Sequence, residues 1–288
     1  MKLVLRKYHC MGNDYLVYDT GKNAMELTES RIRRLCHRNF GIGSDGILAG
    51  PFTDGGKRYM RILNPDGSEV GKSGNGAAIF ARYLLDAGYI NRAREKEAEF
   101  TVLGGKMRAI YLDESGARQQ IAMGRMSFWS DEIPVTGPRR EMVDETMVFG
   151  KLPYKTTCVA VGNPHCVIWM EEISREEVCR IGAVSETAAC FPEKVNTLLL
   201  HVVDRKNIEI EIYERGAGYT LAPGTSPCAA AGAALKMGLV NRKMMVHMPG
   251  GQLEVEIGED GTAYMTVEVK SVGEIILDDG FAEELERI

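Results

Sequence analysis

Residues 73–92, SGNGAAIFARYLLDAGYINR, align without a gap onto residues 223–242, PGTSPCAAAGAALKMGLVNR, an offset of 150 positions (223 − 73). Under it Gly74 falls on Gly224, Gly88 on Gly238, Asn91 on Asn241 and Arg92 on Arg242. The same offset carries Gly12-Asn13 of MGNDY onto Gly162-Asn163 of GNPHC, each well upstream of its Ala-rich segment. Self-similarity at one spacing in two separate motifs marks an internal duplication. Each copy has the same order: a Gly-Asn loop, strands, a Gly-rich turn, an Ala-rich helix, a GLVNR-like exit and a hairpin around Gly-Gly.

Local patterning gives each copy its class. Helices are predicted at about 77–87 and 227–237, directly after the Gly-rich turns; Pro227 is tolerated in a first turn, where an N–H has no helical partner. Ile208, Ile210 and Ile212 alternate with Glu209, Glu211 and Tyr213, the period of a half-buried strand. GQLEVEIGEDGTAYMTVEV, with Asp260-Gly261 at its centre, reads as an antiparallel hairpin. The expected fold is therefore α+β, with two pseudo-symmetric domains, each a mainly antiparallel sheet wrapped around a central helix. Their expected extents are 1–121 plus 275–288 and 122–274. The Gly-rich turns present free N–H groups and the positive ends of helix dipoles, so a ligand cleft holding an anion is expected between the domains.

The 288 residues suffice for two domains with cores of their own. A net charge of −5, with Lys and Arg scattered, gives no electrostatic reason to expect nucleic acid or an anionic membrane. The opening MKLVLRKYHCMGNDY reads as neither signal peptide nor anchor, and no apolar run is long enough to span a bilayer. Seven cysteines, odd in number and without a CxxC pair, argue against a disulfide framework or zinc ribbon and point to a reducing cytoplasm. A small-molecule partner is expected.

The motifs KYHCMGNDY, GIGSDG, NPDGSEVGKSGNG, GNPHCV, PEKVN, YERGAGYT and APGTSPCAAA follow in order along nearly the whole chain, and in this combination they resemble those of the diaminopimelate epimerases. The resemblance implies an isomerase that needs neither pyridoxal phosphate nor metal and moves the α-proton of an amino-acid-like substrate, diaminopimelate above all, in lysine biosynthesis; it is compatible with a homodimer. It implies that Asn13, Asn64, Asn163, Asn196, Glu214 and Arg215 contact the substrate's amino-acid groups. It also implies that the backbone of Gly74, Asn75, Gly224 and Thr225 cradles the α-carboxylate, and that His165 and Glu214 sit beside two catalytic cysteines.

Both of those cysteines are replaced, one by Ser73 and the other by Pro223. A serine hydroxyl is a far weaker acid than a thiol, and proline exchanges no proton and lacks the N–H. Epimerisation by two thiols is excluded. Tyr219, Ser226 and Pro227 stand where such enzymes usually carry Glu, Gly and a small residue, which reads as divergence of the whole loop. Proton transfer is expected from Ser73 activated by His165 or Glu214 on one face, and from Tyr219 or water on the other. The phenazine-pathway isomerases, similar in fold, use a carboxylic acid instead of cysteines, but neither 73 nor 223 is Asp or Glu here. The alternative is a non-catalytic amino-acid-binding or regulatory protein derived from the epimerase. The simpler readings are turn-forming Asn13 and Asn163, a satisfied core His165, a Glu214–Arg215 ion pair, and small buried hydrophobes for Cys10, Cys166 and Cys228.

Overall fold

The computed structural model describes residues 2–221 and 224–288, so Ala222 and Pro223 lie outside the described residues. The elements of the first half are β1 (Val4–Cys10), β2 (Asn13–Tyr18), α1 (Glu29–Cys36), β3 (Ile47–Asp54), β4 (Lys57–Leu63), β5 (Glu69–Val70), α2 (Gly74–Asp86), β6 (Glu97–Val102), β7 (Gly105–Tyr111) and β8 (Arg118–Arg125). After β9 (Glu145–Phe149) the order repeats. It runs through β10 (Leu152–Ala160), β11 (Pro164–Trp169), α3 (Arg175–Ser185), β12 (Asn196–Asp204), β13 (Asn207–Glu214), β14 (Gly218–Tyr219) and α4 (Ser226–Lys236). Then follow β15 (Lys243–Met248), β16 (Gly251–Ile257), β17 (Thr262–Ile276) and the C-terminal α5 (Asp279–Glu286).

Pairing repeats with the order. In the first half β1 pairs antiparallel with β2, β2 runs parallel to β3, and β3 and β6 form hairpins with β4 and β7. In the second half β10–β11, β11–β12, β12–β13 and β15–β16 do the same in turn. The sheets are mainly antiparallel, as expected, with parallel pairings at the strand following the Gly-Asn turn and between β4 and β6 in the first copy and β13 and β15 in the second.

Two compact units result, one made of the residues to Ile121 with Val267–Ile288, the other of Ala122–Thr266. The return falls at Val267 rather than at residue 275. Its cause is β17, which pairs with β16 over Ala263–Thr266 and with β1 from Val269 onward. The crossing lies inside one continuous strand, where no turn residue marks it.

Each unit wraps its strands around one helix. Gly74 through Ala81 of α2 and Ser226 through Ala234 of α4 are buried without a break. A helix apolar on every side belongs in a core, and Ala and Gly let strands close on it from several directions. α2 packs on β1, β2, β3 and β7, and α4 on β10 to β13, β15 and β16. The first helix starts three residues earlier than its sequence suggests because the Ser73 hydroxyl accepts a hydrogen bond from Gly76 N, capping a first turn made of Gly-Asn-Gly. On the outer face of the second unit, α3 approaches β13 so closely that a Cβ on Gly182 would stand 2.3 Å from Cγ of Tyr213.

Candidate functional site

In the first unit the chain turns between β1 and β2 through Met11 (φ 50°) and Gly12 (φ 84°), two left-handed residues in succession. The turn delivers Asn13 as the first residue of β2. Asn13 Nδ2 donates to Asp45 Oδ2 at 2.9 Å, which also accepts the Asp14 N–H at 3.1 Å. Arg38 Nη2 bridges Asp14 Oδ1 at 2.8 Å and Asp45 Oδ1 at 2.7 Å, and Lys7 Nζ lies 2.9 Å from Asp14 Oδ2. Burial disfavours the Asp14 carboxylate, but hydrogen bonds from Arg38 and Lys7 outweigh it and hold its pKa below the ordinary value.

Asn13 Oδ1 accepts from Asn75 Nδ2 at 3.4 Å, tying the Gly-Asn turn to the first turn of α2. Asn75 is 6% exposed, and its Oδ1 is buried with no hydrogen-bond partner among the described residues. Ser73 caps the helix with Oγ 3.0 Å from Gly76 N. A Cβ on Gly76 would stand 3.2 Å from Ser73 Oγ and 3.3 Å from Leu48 Cδ2, a tight fit that a larger residue could take only if these neighbours gave way by a few tenths of an ångström. Ser73, Gly74, Asn75 and Asn13 are therefore brought together. Asn64 shapes the β4–β5 turn, its Nδ2 donating to Ser68 Oγ at 2.9 Å. Glu69, the carboxylate nearest the Gly-rich motif, is held by Arg61 Nε at 2.9 Å.

In the second unit Gly162 (φ 78°) takes the place of Gly12, and Asn163 follows with a buried Oδ1 that has no hydrogen-bond partner among the described residues. His165, on β11, is fully buried, and burial pushes its pKa down to about 4, with Arg215 adding to the effect against the backbone of Asn163 and Val159. It is a neutral imidazole at pH 7. Its Nε2 lies 3.3 Å from Asn196 Nδ2 and 3.3 Å from Thr225 Oγ1. Asn196 Oδ1 accepts the Arg215 N–H at 2.9 Å. One chain of hydrogen bonds thus joins the start of α4, His165, Asn196 and the end of β13. Both ends of the Asn196 amide are spent inside the unit. Thr225 turns its hydroxyl to His165 and makes no side-chain cap, so α4, unlike α2, starts uncapped.

Arg215 Nη1 donates to Glu193 O at 2.8 Å rather than to the neighbouring Glu214. Burial raises the pKa of Glu214, with the Thr220 side chain opposing it, and no ion pair to Glu214 occurs among the described residues. Tyr219 is not brought to His165 or Glu214. Its hydroxyl donates to Glu211 Oε2 at 2.9 Å, the Arg175 guanidinium lies 4.6 Å over its ring, and it packs with Tyr213 and Cys166 on the core beneath α3. Successive strand residues point to opposite faces, so His165 faces α4 while Cys166 faces α3. By the same alternation Glu214 falls on the face opposite Glu211 and Tyr213. Burial pushes the Cys10 and Cys228 thiols up to about 12, and Cys166 is raised by its hydrogen bond with Cys158 and by burial.

Lys7, Tyr15, Arg38, Asp45 and Thr220 were not singled out by the sequence. Lys7 and Tyr15 stand inside the quoted motif KYHCMGNDY, Asp45 in GIGSDG and Thr220 in YERGAGYT, and that placement was the one available signal. Among the described residues no His, Cys, Asp and Glu cluster could hold a metal ion, and no helix is long and apolar enough to cross a membrane.

The family model for diaminopimelate epimerase matches residues 5–129 and 157–272. The chain is 44% identical over 269 residues to diaminopimelate epimerase 2 of Nostoc sp., covering 93% of each protein. It is 36% identical over 265 residues to the diaminopimelate epimerase of Moorella thermoacetica, covering 90% of this chain and 94% of that one. In fold it is similar to a hydroxyproline epimerase from Agrobacterium vitis solved with trans-4-hydroxy-L-proline, with a TM-score of 0.63 at 15% identity over 97% of this chain and 94% of the other.

Proposed function

Since this chain belongs to the diaminopimelate epimerase family, we propose that it is a PLP-independent isomerase acting at the α-carbon of an amino acid, with a diaminopimelate-like substrate and with Ser73 as one proton-handling group. The observation that supports this most is the intact first turn of α2. Ser73 Oγ stands at the N-cap, with the buried Asn75 and the anchored Asn13 beside it and the free N–H groups of Gly74 and Asn75 at the positive end of the helix. That arrangement suits a carboxylate next to an acidic C–H. His165, neutral at pH 7, and Glu214 are the corresponding polar groups of the second unit. Arg215, Asn163, Gly224 and Thr225 are assigned to substrate binding there. Tyr219, turned toward Glu211, is left out of the proton path.

A second reading is favoured by the second unit. Pro223, outside the described residues, exchanges no proton; His165 is neutral and enclosed, Cys228 has a pKa of about 12, and Glu214 is shifted upward. A protein that binds an amino acid without turning it over fits those groups. Incubation with LL- and meso-diaminopimelate, glutamate, histidine and lysine in D₂O, followed by NMR of the α-proton and chiral analysis, separates the two. Loss of the α-proton signal establishes carbon-acid chemistry without thiols. Binding without exchange rejects the isomerase in favour of the binder. Restoring Ser73→Cys together with Pro223→Cys then asks whether the rest of the site still supports epimerisation.

A further inference from the structure

We propose that Cys158 and Cys166 are a cross-strand dithiol that a small disulfide oxidant closes into a covalent bond, clamping the Gly162-Asn163 turn of the second unit. The two cysteines are Cα partners in the antiparallel pairing of β10 with β11, one on either side of that turn. Directly opposed residues point to the same face of a sheet. Both belong to the core beneath α3, together with Ile168, and both are 0% exposed. Val159 and His165, the next opposed pair, take the other face.

The cysteines fall on the closer of the two spacings in the ladder. Cys158 N–H donates to Met142 O at 2.9 Å and Ala160 N–H to Ser127 O at 2.8 Å, so both point away from β11. The bonds that join β10 to β11 therefore belong to the residues in between, and Cys158 with Cys166 is a non-hydrogen-bonded pair. Such pairs hold their Cα atoms about 4.5 Å apart, within the range of about 4.4–6.8 Å that disulfides span. Burial alone is common for a free cysteine; direct opposition at the narrow site is the geometry that a bond needs. Cys158 Sγ rests 4.0 Å from Met147 Sδ, and closure is expected to turn it about χ1 from that contact to Cys166. Cys179 and Cys190, half-buried, pack against the same core and are the rival partners.

With oxidised glutathione as the oxidant, one cysteine sulfur attacks as a thiolate, forms a mixed disulfide and releases one reduced glutathione. The opposing cysteine then attacks the protein sulfur of that mixed disulfide, forms the Cys158–Cys166 bond and releases the second. Two electrons pass from the cysteines to the oxidant, and their two protons end on the released thiols.

The test uses the full-length protein without ligand. It is held folded in a buffer of oxidised and reduced glutathione, its free thiols are alkylated in urea, and it is digested with trypsin unreduced. Residues 156–175, between Lys155 and the cleavage after Arg175, carry both cysteines and no other. That peptide is expected about 2 Da light and unalkylated, and to take two alkyl groups after reduction. A second sample is refolded from urea in the same buffer, so that access to the buried thiols does not decide the result. Alkylation of both cysteines in both samples, or a link from either one to Cys179 or Cys190, overturns the proposal. In the oxidised protein, hydrogen exchange of the backbone amides between the two cysteines should slow about tenfold, because the bond restricts opening of the turn. Equal exchange in the two redox states refutes the clamp. An effect on ligand rests on Asn163 and His165 belonging to the site, whereas the bond does not. α-Proton exchange tests the isomerase reading separately, so a linked peptide without α-proton exchange sinks that reading and leaves the dithiol standing.

Discussion

Acidification should unfold the second unit through His165. The imidazole is fully buried and neutral, and its pKa falls from an ordinary 6.5 to about 4. Between those values the unfolded chain binds a proton that the folded chain refuses. Stability therefore rises with pH across this window and is lost as pH falls through it. A gap of about 2.5 units, at about 1.4 kcal/mol per unit, comes to about 3 kcal/mol between pH 7.5 and pH 4. Carboxylates elsewhere also lose stability in acid, so the informative quantity is the difference from His165→Gln, which removes the titration and keeps a polar side chain. Both tryptophans, Trp129 and Trp169, belong to the unit that carries His165, so their fluorescence follows urea unfolding of that unit. The stability advantage of the unmodified protein over His165→Gln should shrink by about 3 kcal/mol from pH 7.5 to pH 4. An advantage that stays constant across the range would mean that folded His165 titrates like a solvated histidine, and the enclosed neutral imidazole would have to be abandoned.

Four further outcomes follow from the same contacts. Ser73→Ala removes the cap of α2 and should cost about 1 kcal/mol of stability, read as a lower urea midpoint in far-UV circular dichroism; an unchanged midpoint would show that the cap is dispensable. Asp45→Ala releases the Asn13 amide and should weaken diaminopimelate binding about tenfold by calorimetry, whereas an unaltered Kd would show that Asn13 needs no anchor. Glu214 has a raised folded pKa, so its contribution is present below the ordinary carboxylate value and lost as pH rises through the shifted one. Glu214→Gln should accordingly be more stable than the parent at pH 8, with the gap closing toward pH 4; a gap that widens in acid reverses the sign and the assignment. Gly182→Ala drives a methyl into the Tyr213 ring and should cost about 1–3 kcal/mol, seen as a lower thermal midpoint of tryptophan fluorescence.

The duplication, the α+β class and the family were legible in the sequence because they rest on local chemistry. Glycines at 12 and 162 sit where φ is positive, and the two Ala-rich stretches are apolar on every side because each fills the middle of a unit. The identities at 73 and 223 exclude a two-thiol mechanism from the sequence alone, since no fold gives serine or proline the acidity of a thiol. Tertiary structure decided which polar groups share a face. Asn13 and Asn75 meet across 62 positions of chain, and the Asp14–Arg38–Asp45 network beside them joins β2 to the connection between α1 and β3, which no spacing rule links. Tyr219, drawn into the expected proton path by its place in a motif, turned out to bond Glu211 under α3, because one strand step reverses the face a side chain presents. The exit of the second unit through the middle of β17 carries no local mark either. Backbone conformation is set within a few residues, whereas the partner of a buried polar group is set by whichever distant strand or helix the packing brings alongside it.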